Sequence, residues 1–117
     1  FLDQSVRKEA TSYLEESGIG GLVAICGDGS LAGAMELHRL GFPIVVIPAT
    51  IDNDMAGTEI SIGVDTAINT AVDAIDCLNG SASAHTRAMI VEVMGPHSGY
   101  LAVQAGIATG AELIVTP

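Results

Sequence analysis

The chain has 117 residues, 49% of them hydrophobic, and a formal charge of −10, with Arg7, Lys8, Arg39 and Arg87 as its cations. That balance argues against a nucleic-acid partner, which needs a basic face to neutralise phosphates, and no apolar run approaches the length that spans a bilayer. The length allows one small domain with its own hydrophobic core.

Asp3 to Ser17 reads as an amphipathic helix, with Val6, Ala10 and Leu14 four apart, ended by Gly18, Gly20 and Gly21. It opens the chain in a polar register unlike a signal peptide. Leu22 to Cys26 is a continuous apolar run and predicts a buried parallel strand. Gly27-Asp28-Gly29-Ser30 is a tight turn whose Ser30 is placed to cap a helix running to about Leu40. Ile44 to Ile47 predicts a second buried strand, and Pro48 to Thr58 a polar loop. Ser61 to about Leu78 has Val64, Ile68, Ala71, Ile75 and Leu78 on one helical face, and Gly80 to Ala84 reads as a loop. Ala88 to Val93 predicts a third strand. Met94 to Gly99 is a turn into an Ala- and Gly-rich helix ending near Gly110, and Leu113 to Val115 predicts a fourth strand.

This alternation predicts an α/β fold: a mostly parallel, three-layer sheet with helices on both faces. Residues 1–117 are expected to form a single α/β piece of something longer, because the chain lacks an initiator Met and stops straight after a strand-like run. Cys26 and Cys77 are too few, and too apolar in setting, for a disulfide framework, which suggests a reducing, cytoplasmic compartment.

Ligands of such folds bind outside the carboxyl ends of the strands. Three unusual segments follow predicted strands and are expected to line one sheet edge. In the first, Gly27 to Ser30, the glycines let backbone approach a phosphate, the helix start favours anions, and Asp28 is placed to hold Mg²⁺. An ordinary Asp-Gly turn with a capping Ser explains the same four residues. In the second, Thr50-Ile51-Asp52-Asn53-Asp54, an extended backbone would project Thr50, Asp52 and Asp54 together. One carboxylate would then accept a hydroxyl proton while the other positions metal. A solvated turn with an Asx cap is the plainer alternative. For the third, Met94 to Gly99, a helix start with Pro96 at its favoured position is preferred. Arg87 stands before the predicted third strand, roughly 20 Å from the motif edge. It is a solvated strand-start residue or serves a neighbouring site. His38 and His85 lack metal-ligand spacing, and Cys26 is not placed as a nucleophile.

In order and spacing, Gly27-Asp28-Gly29-Ser30, Pro48-Ala49-Thr50-Ile51-Asp52-Asn53-Asp54 and Ile90-Val91-Glu92-Val93-Met94-Gly95 resemble the phosphofructokinase family, and so does the stretch from Gly63 to Asp76. The resemblance covers nearly the whole chain, and its Thr50–Asp54 element is the most specific part. It implies phosphoryl transfer from MgATP to the 1-hydroxyl of fructose 6-phosphate in glycolysis. Asp52 would accept the hydroxyl proton, with Thr50 and Asp54 supporting the transferring phosphoryl group and the metal. Asp28 would bind Mg²⁺, with Gly27, Gly29 and Ser30 along the nucleotide phosphates. Met94 and Gly95 would contact the sugar phosphate, and Arg87 would reach the site of an adjacent subunit, which implies a homo-oligomer.

Three positions depart from the family's usual pattern: Cys26 for a glycine, Ala49 for a glycine, and Pro96 for the arginine after Met-Gly. Pyrophosphate-using members carry Asp at the place of Gly29 and Lys at the place of Ala49, so the smaller residues here imply ATP, with pyrophosphate as the alternative donor. Pro96 motivates another alternative, a non-catalytic or regulatory subunit that binds sugar phosphate. The resemblance also implies that an N-terminal Gly-rich loop and downstream substrate-binding residues lie outside these 117 residues.

Overall fold

A computed structural model describes residues 3–117. In chain order the elements are α1 (Gln4–Glu16), β1 (Leu22–Cys26), α2 (Asp28–Arg39), β2 (Ile44–Pro48), α3 (Val64–His85) and α4 (Tyr100–Thr109). They fall into two compact units, one up to Ala49 and one from Thr50 to Pro117.

In the first unit β1 and β2 pair in parallel, from Leu22 opposite Ile44 to Cys26 opposite Pro48. The helix between the two apolar runs supplies the crossover that a parallel pair needs. α2 packs on both strands and α1 packs on α2. The covered face carries Leu22, Ala24, Ile44 and Val46, while Val23, Ile25 and Val45 on the other face are exposed. Phe42 is 2% exposed and is, with Ala34 and Leu37, the core of the unit.

α1 starts where a cap allows it. The Asp3 carboxylate accepts from the Ser5 backbone N–H and from the Ser5 hydroxyl, both at 2.8 Å. Those two bonds hold the Asp3 carboxyl below its ordinary range. Glu36 of α2 bonds both Arg7 of α1 and Arg39 one turn along its own helix. The expected Ser30 cap is not formed. α2 begins at Asp28, with Gly27 as N-cap and no side-chain cap bond, so Ser30 lies inside the first turn.

In the second unit α3 and α4 pack together around Val64, Leu101 and Ala105. α3 starts later than its apolar pattern suggests because Gly63, its N-cap, sits at φ 102°. It also runs through the expected loop at Gly80 to Ala84 and stops at His85. Ala82 and Ala84 favour helix locally, and the cost of Gly80, about 1 kcal/mol, is too small to break it. Thr86 then adopts a left-handed conformation, and the Arg87 N–H closes on the Ala82 carbonyl at 3.0 Å, a Schellman ending.

Neither Ala88 to Val93 nor Leu113 to Val115 forms a strand among the described residues. The apolar runs are present, but Ile90 is 98% exposed and Leu113 79% exposed. β-propensity reports fit to a neighbouring pleated surface, and neither run has a partner here.

Phe42→Ala is expected to destabilise the first unit by about 3–5 kcal/mol, the usual cost of an emptied aromatic site. Denaturant unfolding of the variant beside the parent checks this.

Candidate functional site

In the first unit the ladder places two chain exits side by side. Cys26 and Pro48 are register partners, and the Ala49 N–H donates to the Cys26 carbonyl at 2.9 Å. The chain therefore leaves β1 at Gly27 and β2 at Ala49 from the same sheet edge. Gly27 is extended, and the next residue is already helical. The first N–H groups of α2 have no intrahelical partner. One of them, on Gly29, donates to Asp28 Oδ1 at 2.7 Å. Asp28, Gly29 and Ser30 are all exposed. A Cβ built at Gly29 meets nothing within 4 Å, so the turn has open space in front of it.

The second unit opens with the Thr50–Asp54 segment. Its backbone is bent rather than extended, which corrects the alternation argument for a shared face. Thr50 Oγ1 accepts from the Asp52 N–H at 3.3 Å. Asn53 then turns into the left-handed region at φ 50°, where Asn is one of the few residues at ease. Its side chain spans the loop: Nδ2 donates to the Glu59 carbonyl and Oδ1 accepts from the Ser61 N–H, both at 3.0 Å. The result is a closed loop in which Thr50 and Asp52 are half-buried while Asp54 is exposed.

Segment 94–99 packs against Asp52. Ser98 Oγ donates to the Asp52 carbonyl at 2.5 Å and accepts from the Tyr100 N–H at 3.3 Å. Gly95 has φ 120°, and a Cβ there would lie 2.5 Å from the Ser98 carbonyl oxygen and 3.5 Å from Asp52 Oδ1. Only glycine fits this turn, and its bare Cα lets the Asp52 carboxylate lie close. Met94 is 72% exposed and His97 is exposed. Pro96 is not at a helix start, because α4 begins at Tyr100 with Gly99 as its N-cap.

Of the three segments expected to meet, 50–54 and 94–99 are thus brought together within one unit, and Gly27 to Ser30 belongs to the other. Arg87 lies exposed just past the end of α3 rather than at a strand start. Among the described residues no cluster of three or more His, Cys, Asp or Glu side chains is arranged to hold a metal. Asp28, in the first unit, and Asp54, in the second, are each a single exposed carboxylate, and Mg²⁺ can be bound through one carboxylate plus phosphate oxygens and water.

Sequence reasoning left Asn53 and Ser98 without roles. The signal for Asn53 was its tolerance of left-handed backbone inside a polar loop. For Ser98 nothing local marks its bond to a residue 46 positions away.

A family profile described as Phosphofructokinase matches residues 1–117. The chain is 50% identical over 117 residues to an ATP-dependent 6-phosphofructokinase of Bacillus cytotoxicus, covering all of this chain and 37% of that one. It is 54% identical over 118 residues to the enzyme of the same name from Thermotoga neapolitana, again covering 37% of its length. The chain therefore spans a little over a third of these curated relatives. Among solved structures, a T-state phosphofructokinase of Pichia pastoris superposes with a TM-score of 0.83 and 37% identity, over 92% of this chain and 12% of that one. Phosphofructokinase from Saccharomyces cerevisiae gives 0.81 and 35% identity, over 89% and 15%. With the profile matched end to end and the same fold in these structures, the chain belongs to the phosphofructokinase family.

Proposed function

We propose that this chain carries a catalytic segment of an ATP-dependent 6-phosphofructokinase, transferring the γ-phosphoryl group of MgATP to the 1-hydroxyl of fructose 6-phosphate to give fructose 1,6-bisphosphate. The observation that carries the reading is Asp52. Its carboxylate is half-buried beside the bare Cα of Gly95, and its backbone is bonded on both sides, in a chain similar to enzymes named for this activity.

Asp52 accepts the proton from the sugar hydroxyl as that oxygen attacks phosphorus. A positioned carboxylate of this kind contributes about 10²–10⁴-fold. Thr50 and Asp54 support the transferring group. The N–H groups at the start of α2, with Gly27, Gly29 and Ser30, face the nucleotide phosphates, as a helix N-terminus does for anions. Asp28 and Asp54 would each offer a carboxylate to Mg²⁺, which would neutralise charge on the phosphate oxygens. Met94 and Gly95 contact the sugar phosphate. Arg87 reaches the site of a neighbouring copy, so the working enzyme is a homo-oligomer. The free thiols Cys26 and Cys77 fit a cytoplasmic setting.

The open space at Gly29 supports ATP over pyrophosphate as donor, because a side chain there would occupy it. The curated relatives are named as ATP-dependent enzymes.

In the full-length polypeptide, Asp52→Asn is expected to lower kcat with MgATP at least a hundredfold while fructose 6-phosphate still binds. Turnover within a few-fold of the parent would remove Asp52 from the role of base. Turnover with pyrophosphate but not ATP would reverse the donor, and binding of fructose 6-phosphate without any bisphosphate formed would indicate a non-catalytic subunit. Residues 1–117 alone are expected to show no kinase activity in the same assay.

Gly95→Ala forces a Cβ onto the Ser98 carbonyl and strains the backbone. We expect a cost of about 1–3 kcal/mol in stability and a kcat lowered more than tenfold, read from thermal unfolding and steady-state rates.

A further inference from the structure

We infer that Ser98 is a positioning residue for Asp52: its hydroxyl ties the backbone of the base to the start of α4. This rests on the reading of Asp52 as the proton acceptor.

The Ser98 hydroxyl has one proton to give, and the Asp52 carbonyl receives it at 2.5 Å. The Tyr100 N–H, donating to the same oxygen at 3.3 Å, orients it so that the proton points away from α4 and toward Asp52. Tyr100 is the first residue of α4, and Leu101 and Ala105 of that helix are 5% and 1% exposed. The hydroxyl is therefore anchored on a buried helix, the kind of support that fixes a functional side chain. On the other side of Asp52, the Thr50 hydroxyl accepts from its N–H at 3.3 Å. Asn53, next in the chain, is pinned by its own two bonds. Of these restraints only the Ser98 bond links Asp52 to segment 94–99.

Ser98 bonds the carbonyl and not the carboxylate. Removing its hydroxyl leaves the charge environment of the carboxylate alone and loosens where it stands. Misplacement of a reacting group by an ångström costs about a hundredfold, and one lost tether among several moves it less.

The test compares Ser98→Ala, Ser98→Cys and Asp52→Asn in the full-length polypeptide. For Ser98→Ala we expect kcat to fall about tenfold, with both KM values within twofold of the parent. The acidic limb of the pH–rate profile should stay in place. Ser98→Cys, near-isosteric and still a weak donor, should recover part of the loss. The inference is overturned if Ser98→Ala turns over within twofold of the parent. It is equally overturned if kcat falls in Ser98→Ala and Ser98→Cys alike, since loss without rescue marks a packing role. If Ser98→Ala fails to fold, the cysteine variant decides by the same kcat and KM criteria. Full activity in Asp52→Asn would remove the underlying reading. Loss in Asp52→Asn with parental rates in Ser98→Ala removes this inference alone.

Discussion

The second unit depends on one amide side chain. Asn53 accepts left-handed backbone and bonds the loop at two points, the Glu59 carbonyl and the Ser61 N–H. A loop of this kind has no ladder to satisfy its polar backbone groups, and unpaired groups near a core are costly. Asn53 supplies the missing partners, and two consequences follow. Upstream, Asp52 is presented from a bend of defined shape. Downstream, Ser61 and Val64, 3% and 1% exposed, are delivered to the core at the start of α3. The candidate base and the longest helix thus share one constraint.

A second constraint is charge. The substrates proposed for it, a nucleotide and a sugar phosphate, are both anionic, while the chain itself stands at −10. Of the three cations in the first unit, Arg7 and Arg39 are engaged by Glu36, which leaves Lys8. What these residues offer an anion is backbone: the N–H groups opening α2 behind a residue without a side chain. What they offer a metal is isolated carboxylates. Under the proposed function the basic groups for the phosphates would come from outside these 117 residues; the curated relatives are nearly three times as long.

How legible this was in the sequence depended on what decides each element. β1 was readable to the residue and β2 to within one, because a short apolar run between glycine and proline punctuation has few alternatives. α1 was readable from Val6, Ala10 and Leu14 spaced by four, and the structure adds the Asp3 cap at its start. The end of α3 was not, since past Leu78 the apolar face runs out and only local propensity carries the helix on. The runs at Ala88 to Val93 and Leu113 to Val115 look like strands in composition, yet pairing is a property of the partner and not of the run. At the site, the residue types and their grouping were legible, and the geometry was not. Alternation brought Thr50 and Asp52 together for the wrong reason. A hydroxyl turn and a left-handed asparagine do it instead.

The way Asp52 is held suits proton transfer. A hydrogen bond to a carboxylate stabilises its charged form and makes it a poorer base. A base that must be both fixed and basic is better restrained through its backbone. Thr50 takes the Asp52 N–H and Ser98 bonds the Asp52 carbonyl, so both restraints act on main-chain atoms. Gly95, on one side of the carboxylate, has no side chain to bond it. The two hydrogen bonds therefore locate Asp52 without engaging its carboxylate oxygens, as the role proposed for it requires. The glycine at 95 is needed for the turn itself: its φ is 120°, and a Cβ there would lie 2.5 Å from the Ser98 carbonyl oxygen.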